Sequence, residues 1–443
     1  MVEPATESTA TAGRLRSVSV REAAFAVAVA AGALFAMAWL GMRPGNWGDW
    51  QVEARPAVDA LVAGHVGGFL RLAPPYGGSL ILRAPFVLLT TLWHGGENAV
   101  FRASAVPCLA AAGALGLWLS ARMRSRGAST VACLLTLLLC VANPLLFPAL
   151  KTGHPEEILG AALCAGAVLC ALGDRPVWAG ILLGLAMANK EWAVLAAGPV
   201  LVALPRARVR ALLVAGVTTA AVLAPLLLHS SGSFVGATTS AGLNTGSIFQ
   251  PWQWWWFFGS HVHPLPGVHF DPAAMYRSAP RWINRFGHTL PIAIMPPLTA
   301  LYAWSRRRRA PRRRPHDALL LFALIMSLRC VLDPWDISYY SLPFLFALAS
   351  WEAVGAERPP VVSLLATFAA WFILRETGAS ALDLAAGTQA LVFILVSVPG
   401  VIALAVGMFV PGARRLVAPR AEPGEGQSAR RRIASPAIRS ASG

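Results

Sequence analysis

The chain reads as an all-α polytopic membrane protein, and three observations predict that class. Over 443 residues it is 56% hydrophobic and only 13% charged. Apolar runs of about 17–25 residues, each long enough to cross a bilayer, recur from end to end. The arginines gather in short turns between those runs, which is the positive-inside pattern. The net charge of +16 therefore points to topology and to membrane lipids, not to nucleic acid. No loop exceeds about 60 residues, short for a separate soluble domain.

In chain order, residues 1–21 form a basic N-terminal tail carrying Arg14, Arg16 and Arg21. The apolar run 23–42 follows it. Its core is longer than a signal-peptide core, so an uncleaved anchor is expected. Spans are predicted at 22–41, 98–120, 128–147, 156–173, 175–188, 191–204, 209–228, 287–305, 316–332, 338–352, 359–374 and 384–410. The run "GSLILRAPFVLLTTLW" (78–93) decides the topology. Read as re-entrant or interfacial, it leaves Arg122, Arg124 and Arg126 inside, together with the basic clusters at 205–210, 306–315 and 414–420. The expectation is a transmembrane domain over 22–410 with about 12 helices in the plasma membrane and both termini cytoplasmic. Its outer loops are 42–97 and 229–286. A disordered basic tail occupies 411–443.

Six cysteines fall within apolar runs at no metal-binding spacing and read as small apolar fillers. His261, His263, His269 and Asp271 match no tight zinc motif. No phosphate-binding loop, dinucleotide fingerprint or metalloprotease motif is present.

The expected outer face holds the distinctive polar groups. Asp49 lies just after the first span, between Trp47 and Trp50. Residues 56–70 then carry apolar positions at helical spacing behind Pro56, as in an amphipathic interfacial helix. "KTGHPEE" brings Lys151, His154, Glu156 and Glu157 together between two apolar runs, and "NKE" brings Lys190 and Glu191 to a break between two short spans. Each of those spans, at about 14 residues, reaches only ~21 Å, so the break is expected in a wet cavity below the outer surface. Of the 37 basic residues only Lys151 and Lys190 are lysine. "RCVLDPWDISYY" adds Arg329, Asp333, Trp335, Asp336, Tyr339 and Tyr340. Trp252, Trp254, Trp255 and Trp256 mark an interfacial segment.

"GNWGDWQ", "KTGHPEE", "ANKEW" and "LRCVLDPWDISYY" together resemble the GT-C superfamily of membrane glycosyltransferases, and within it the mannosyltransferase-like actinobacterial members of glycosyltransferase family 87. The likeness covers most of 22–352. It implies transfer of a sugar, with mannose expected, from a polyprenyl-phosphate carrier to a lipid or glycan acceptor on the extracytoplasmic face. Asp49 matches the position of the superfamily's catalytic base, which deprotonates the acceptor hydroxyl so that it attacks and inverts the anomeric carbon. Many members have two adjacent acids there. Here Trp50 follows the single Asp49, so no cofactor is expected, while a divalent cation stays compatible. The leaving lipid phosphate needs cations: Lys151, Lys190 and Arg329 are the candidates, with His154 as a further donor. Glu156, Glu157, Glu191, Asp333, Trp335, Asp336, Tyr339 and Tyr340 are the candidates for contacts to sugar or acceptor. The two glutamates have an alternative role in holding the lysines or the start of a helix. The rival class is a transporter or flippase for an anionic lipid. It would place polar groups near the midplane of related halves, whereas these groups are expected at one face.

Overall fold

The architecture is taken from a computed structural model, which describes residues 19–43, 48–204, 206–243, 248–264, 275–287, 289–308, 316–374 and 384–410. Trp47, His269, Asp271, the tail 411–443 and most of the arginine run 306–315 lie outside the described residues.

Helices dominate, and each of the twelve predicted spans contains helix. Helix α1 (Val20–Gly41) starts on a capping box between Ser19 and Glu22. The stretch Trp50–Ala54 is π-helical and leads into α2 (Arg55–Val62) and α3 (Val66–Leu72). The expected amphipathic helix is thus two short ones, parted at Gly64 with φ +80°. Its apolar side, Ala57, Val58 and Leu61, is buried. Helix α4 (Gly77–Leu89), extended by a 3-10 turn to Trp93, occupies the run predicted as re-entrant or interfacial. Then come α5 (Glu97–Ser125), α6 (Thr130–Val141), α7 (Leu146–Thr152), α8 (Pro155–Leu172) and α9 (Pro176–Asn189). A 3-10 segment, Glu191–Ala196, joins α10 (Ala197–Ala203).

Helix α11 (Arg208–Leu243) departs most from expectation. It continues beyond residue 228 into the predicted outer loop, with a non-helical residue at Ser230. The Ser-, Gly- and Thr-rich sequence after His229 carries no apolar period, so it reads as a loop. The remainder of that loop holds a three-stranded antiparallel sheet in the order β1 (Ile248–Phe249), β3 (Met275–Ser278), β2 (Val262–Pro264). It also holds α12 (Arg281–Phe286). The small sheet was not expected, because strands of two to four residues leave no alternating pattern to read. The chain ends in α13 (Thr289–Arg308), α14 (Asp317–Leu332), α15 (Leu342–Gly355), α16 (Val361–Ile373) and α17 (Ala386–Phe409).

Among the described residues, six helical units are long and apolar enough to cross a membrane: α1, α5, α6 with α7, α8, the first part of α11, and α17. Phe25, Phe35, Trp39, Val209, Leu213 and Val217 are exposed on α1 and α11, an apolar surface suited to lipid. Helix α14 is the opposite case. Every residue from Asp317 to Met326 is buried, as in a helix surrounded by protein. Between α9 and α11 the backbones nearly touch. A Cβ on Gly180 would lie 2.5 Å from the carbonyl oxygen of Ala211, and one on Gly184 would lie 2.5 Å from that of Ala215. Two small residues four apart, allowing close approach of backbones, are a membrane-helix packing device.

Candidate functional site

The site is assembled where the N-termini of α8 and α15 meet the C-termini of α9 and α14. Helix α8 starts with Pro155 at its first turn, where the missing N–H costs nothing. Just before it, Gly153 holds φ +104°. A Cβ there would lie 2.5 Å from the Cβ of Trp50, so only glycine lets the "KTG" turn press against the Asp49–Trp50 backbone. Trp50 itself is buried and packs on Phe101, with ring centroids 4.9 Å apart. It anchors the first loop in the protein core, where a membrane-surface tryptophan had been expected.

This contact brings two distant motifs into hydrogen-bonding range. His154 Nε2 is 3.2 Å from Asp49 Oδ2, and its Nδ1 is 2.7 Å from Glu156 Oε1. Asp49 is half-exposed, with 52% of its side chain accessible, whereas Glu156 is fully buried. Burial opposes a charge on His154, but Glu156 and the hydrogen bonds to Asp49 and Glu156 outweigh it and lift the imidazole to about 9. His154 thus stands between two carboxylates, with one ring nitrogen within hydrogen-bonding distance of each.

Glu156 is the hub. Its carboxylate also meets Lys190 Nζ at 3.7 Å and Arg83 Nη1 at 3.5 Å. Glu157 faces the same lysine at 3.4 Å and accepts a hydrogen bond of 3.0 Å from Trp192 Nε1. The Asn189 side chain donates to the Glu156 carbonyl at 2.8 Å. Lys190 also lies 4.4 Å from the centre of the Tyr76 ring. Burial works against its charge, yet Glu157 and then Glu156 hold its pKa above the ordinary lysine value. Three cations, Arg83, His154 and Lys190, thus face three carboxylates, Asp49, Glu156 and Glu157. Buried charges persist only when paired in this way.

The "DPWD" segment forms the adjoining wall. Arg329 is buried and its guanidinium lies 4.1 Å from the Tyr340 ring centre and 5.2 Å from that of Trp192, while its Nη1 has no hydrogen-bond partner among the described residues. Asp333 Oδ1 accepts from the Trp335 backbone N–H at 2.9 Å, closing the turn. Tyr339 packs on His154, centroids 5.4 Å apart, and on Tyr340 at 5.5 Å. Asp336 is buried, and burial, then Asp333, pushes it well above the ordinary aspartate range. The tryptophan-rich segment braces this wall. Trp252 donates to the Asp336 carbonyl at 3.2 Å and Trp255 to the Leu332 carbonyl at 2.8 Å.

Asp49, His154, Glu156, Glu157, Lys190, Arg329, Tyr339 and Tyr340 therefore share one neighbourhood. Lys151 is half-buried and Glu191 exposed, and neither makes an ion pair with a described residue. Trp335 is half-buried beside the turn. Three participants were not foreseen. Arg83 sits fully buried in α4, Tyr76 stacks edge-on against His154 at 5.9 Å, and Glu53 accepts the Tyr76 hydroxyl at 2.8 Å. The signal for Arg83 was present, since it is the one charge in the apolar run 78–93. Helix α4 delivers it because Gly78 meets the end of α9, where a Cβ would lie 2.1 Å from the Ala188 carbonyl oxygen. Among the described residues, no cluster of His, Cys, Asp and Glu is arranged to hold a metal ion. The chain matches no protein-family model and no curated protein.

Proposed function

We propose that the chain is a GT-C-like glycosyltransferase that moves a sugar, with mannose expected, from a polyprenyl-phosphate carrier to a lipid or glycan acceptor. In this reading all twelve helical segments belong to one membrane domain, and the Asp49 site faces the extracytoplasmic side. The observation that carries it is the half-exposed Asp49 carboxylate, oriented by the buried His154 ring, which is itself hydrogen-bonded to Glu156. Such an arrangement supports a positioned general base. One oxygen is held and the other accepts the proton of an acceptor hydroxyl. The acceptor oxygen bonds to the anomeric carbon as the bond from that carbon to the phosphate oxygen breaks, and the lipid phosphate leaves with its electron pair.

A phosphate leaving group is weakly basic and requires cations. Lys190 is occupied by Glu156 and Glu157, so its role is to hold the frame. Arg329, with an unpartnered Nη1, and Lys151, without an ion pair among the described residues, are the cations free to meet phosphate. Tyr339 and Tyr340 supply aromatic faces for a pyranose ring or an isoprenoid. A transporter would place its polar groups near the midplane between related halves, with broken helices in matching positions, whereas the sequence has one clear break, at 189–191, and no evident internal repeat.

The test is sugar transfer in membranes supplied with radiolabelled polyprenyl-phosphate mannose, comparing wild type, Asp49→Asn and empty vector. Label is expected in lipid or polymer product with wild type alone. Undiminished transfer by Asp49→Asn would remove the base assignment. Failure of wild type with both mannose and arabinose donors would move the reading to transport.

A further inference from the structure

At the far end of α8 from the Asp49 site, the C-terminal part of α5, the second half of α8 and the start of α9 enclose a groove of about 730 Å³. Its walls are apolar, and it is deep because the facing positions are small: Ala111 and Ala114 on α5, and Ala162 and Gly166 on α8. The volume falls within the ~300–1,000 Å³ of ordinary ligand pockets. The 18 residues of α8, at 1.5 Å each, put its mouth roughly 27 Å from the catalytic candidates.

The mouth is basic. Arg122, Arg126, Arg175 and His316 line it. Arg122 and Arg175 are exposed, and neither forms a salt bridge with a described residue. Arg122 lies 5.9 Å from the centre of the Trp118 ring, and Arg126 donates to the Val354 carbonyl. Acids lie near it in sequence, Asp174 beside Arg175, Asp317 beside His316 and Glu352 two residues before Val354, and the charge of Glu357 reaches Arg126. The residues that line the groove, however, include three arginines and no acid, so basic groups face the end of an apolar furrow between membrane helices. That combination has the polarity of a phospholipid, with chains at one end and a phosphate at the other.

We propose that this groove binds an anionic phospholipid of the bilayer, one acyl chain lying between α5 and α8 and the headgroup phosphate meeting Arg122, Arg126 and Arg175. Basic pockets between membrane helices are a known means of selecting anionic headgroups, and the arginine fork suits phosphate. The site is separate from the sugar-transfer reading and stands whether or not that reading holds.

Native mass spectrometry of the full chain in detergent tests it, with phosphatidylglycerol and phosphatidylcholine of identical acyl chains as probes. Wild type is expected to retain phosphatidylglycerol at least about tenfold better, a difference worth about 1.4 kcal/mol. The double substitution Arg122→Gln/Arg175→Gln is expected to erase that preference while the protein still elutes as one species. Gly166→Leu, which fills the furrow, is expected to weaken both lipids. Equal retention of the two lipids by wild type would overturn the proposal, as would a preference untouched by the arginine pair. Displacement of phosphatidylglycerol by inorganic phosphate alone, with no dependence on Gly166, would assign the arginines to free phosphate and overturn it too.

Discussion

The two ends of α8 handle charge in opposite ways. At the Pro155 end, acids and bases are buried, alternate in sign and interlock: Glu156 alone meets His154, Arg83 and Lys190. At the Gly173 end, arginines of one sign stand exposed around an apolar groove. Water supply explains the difference. A buried ion must find a counter-ion or lose its charge, so the first cluster is closed into ion pairs, although Arg83 Nη2 has no hydrogen-bond partner among the described residues. An exposed arginine is solvated and can remain unpaired, which leaves it available to a ligand. Pairing in the first region makes a frame, and lack of pairing in the second makes a binding rim.

Perturbing the two ends should therefore give unequal responses. The largest effect is expected on chemistry. Asp49→Asn should lower sugar transfer by about 10²–10⁴-fold with little change in melting temperature, because Asp49 is half-exposed and makes one of several contacts to His154. Next is the hub. Glu156→Gln leaves Arg83, Lys190 and His154 facing a neutral amide, and breaking a buried pair costs about 3–5 kcal/mol. Thermal unfolding in detergent should reveal it, and a variant as stable as wild type would mean the network contributes no rigidity. Gly153→Ala should cost about 1–3 kcal/mol from backbone strain. It should also reduce transfer, since the added methyl displaces the Asp49 loop through Trp50. A stable Gly153→Ala protein with full activity would show that the close approach is dispensable. At the rim, Arg122→Gln should change stability by less than about 0.5 kcal/mol. If it matched Glu156→Gln, the contrast between the ends would collapse.

The pH response sharpens the same contrast. His154 is raised from an ordinary 6.5 to about 9. A group whose pKa is higher in the folded state contributes stability that is fully present below the unfolded value and lost as pH rises through the folded one. Its contribution should be complete below about pH 6.5 and gone above about pH 9. Melting temperature measured across that window should decline in wild type, and the decline should shrink in His154→Asn. An identical decline in both would locate the titrating group elsewhere.

Much of the fold and part of the site were legible in the sequence. Helix is present in each predicted run, because long apolar runs leave few alternatives, but only six helical units among the described residues are long and apolar enough to cross a membrane. Asp49, His154, Glu156, Glu157 and Lys190 were found because a charge stands out in an apolar chain. What escaped needed the third dimension. Tyr76 and Glu53 lie in stretches where polar residues are common, and only packing shows that they meet. Arg83 is the one charge in the run 78–93, but the pattern of that run does not show which partner it meets. The helical path of α11 past Ser230 and the three short strands depend on tertiary contacts rather than on local pattern. Glu156 and Glu157 were weighed both as sugar contacts and as holders of the lysines. Their burial and ion pairs favour holding Lys190, and Lys151 has no part in it.

The glycine contacts between α9 and α11 carry a genetic consequence. Gly180 and Gly184 fix how closely α9 lies against its neighbour, and Lys190 follows directly from the end of α9. The lysine is only six positions beyond Gly184, roughly 9 Å along the axis. A bulkier residue at either glycine would push α9 sideways and carry Lys190 away from Glu156 and Glu157. In a random mutagenesis screen, loss-of-function alleles should therefore collect at these two positions as well as at the charged residues. Second-site suppressors of them should map to Val214 and Thr218, whose side chains a new side chain would strike, and not to Ala211 or Ala215, where it would strike backbone.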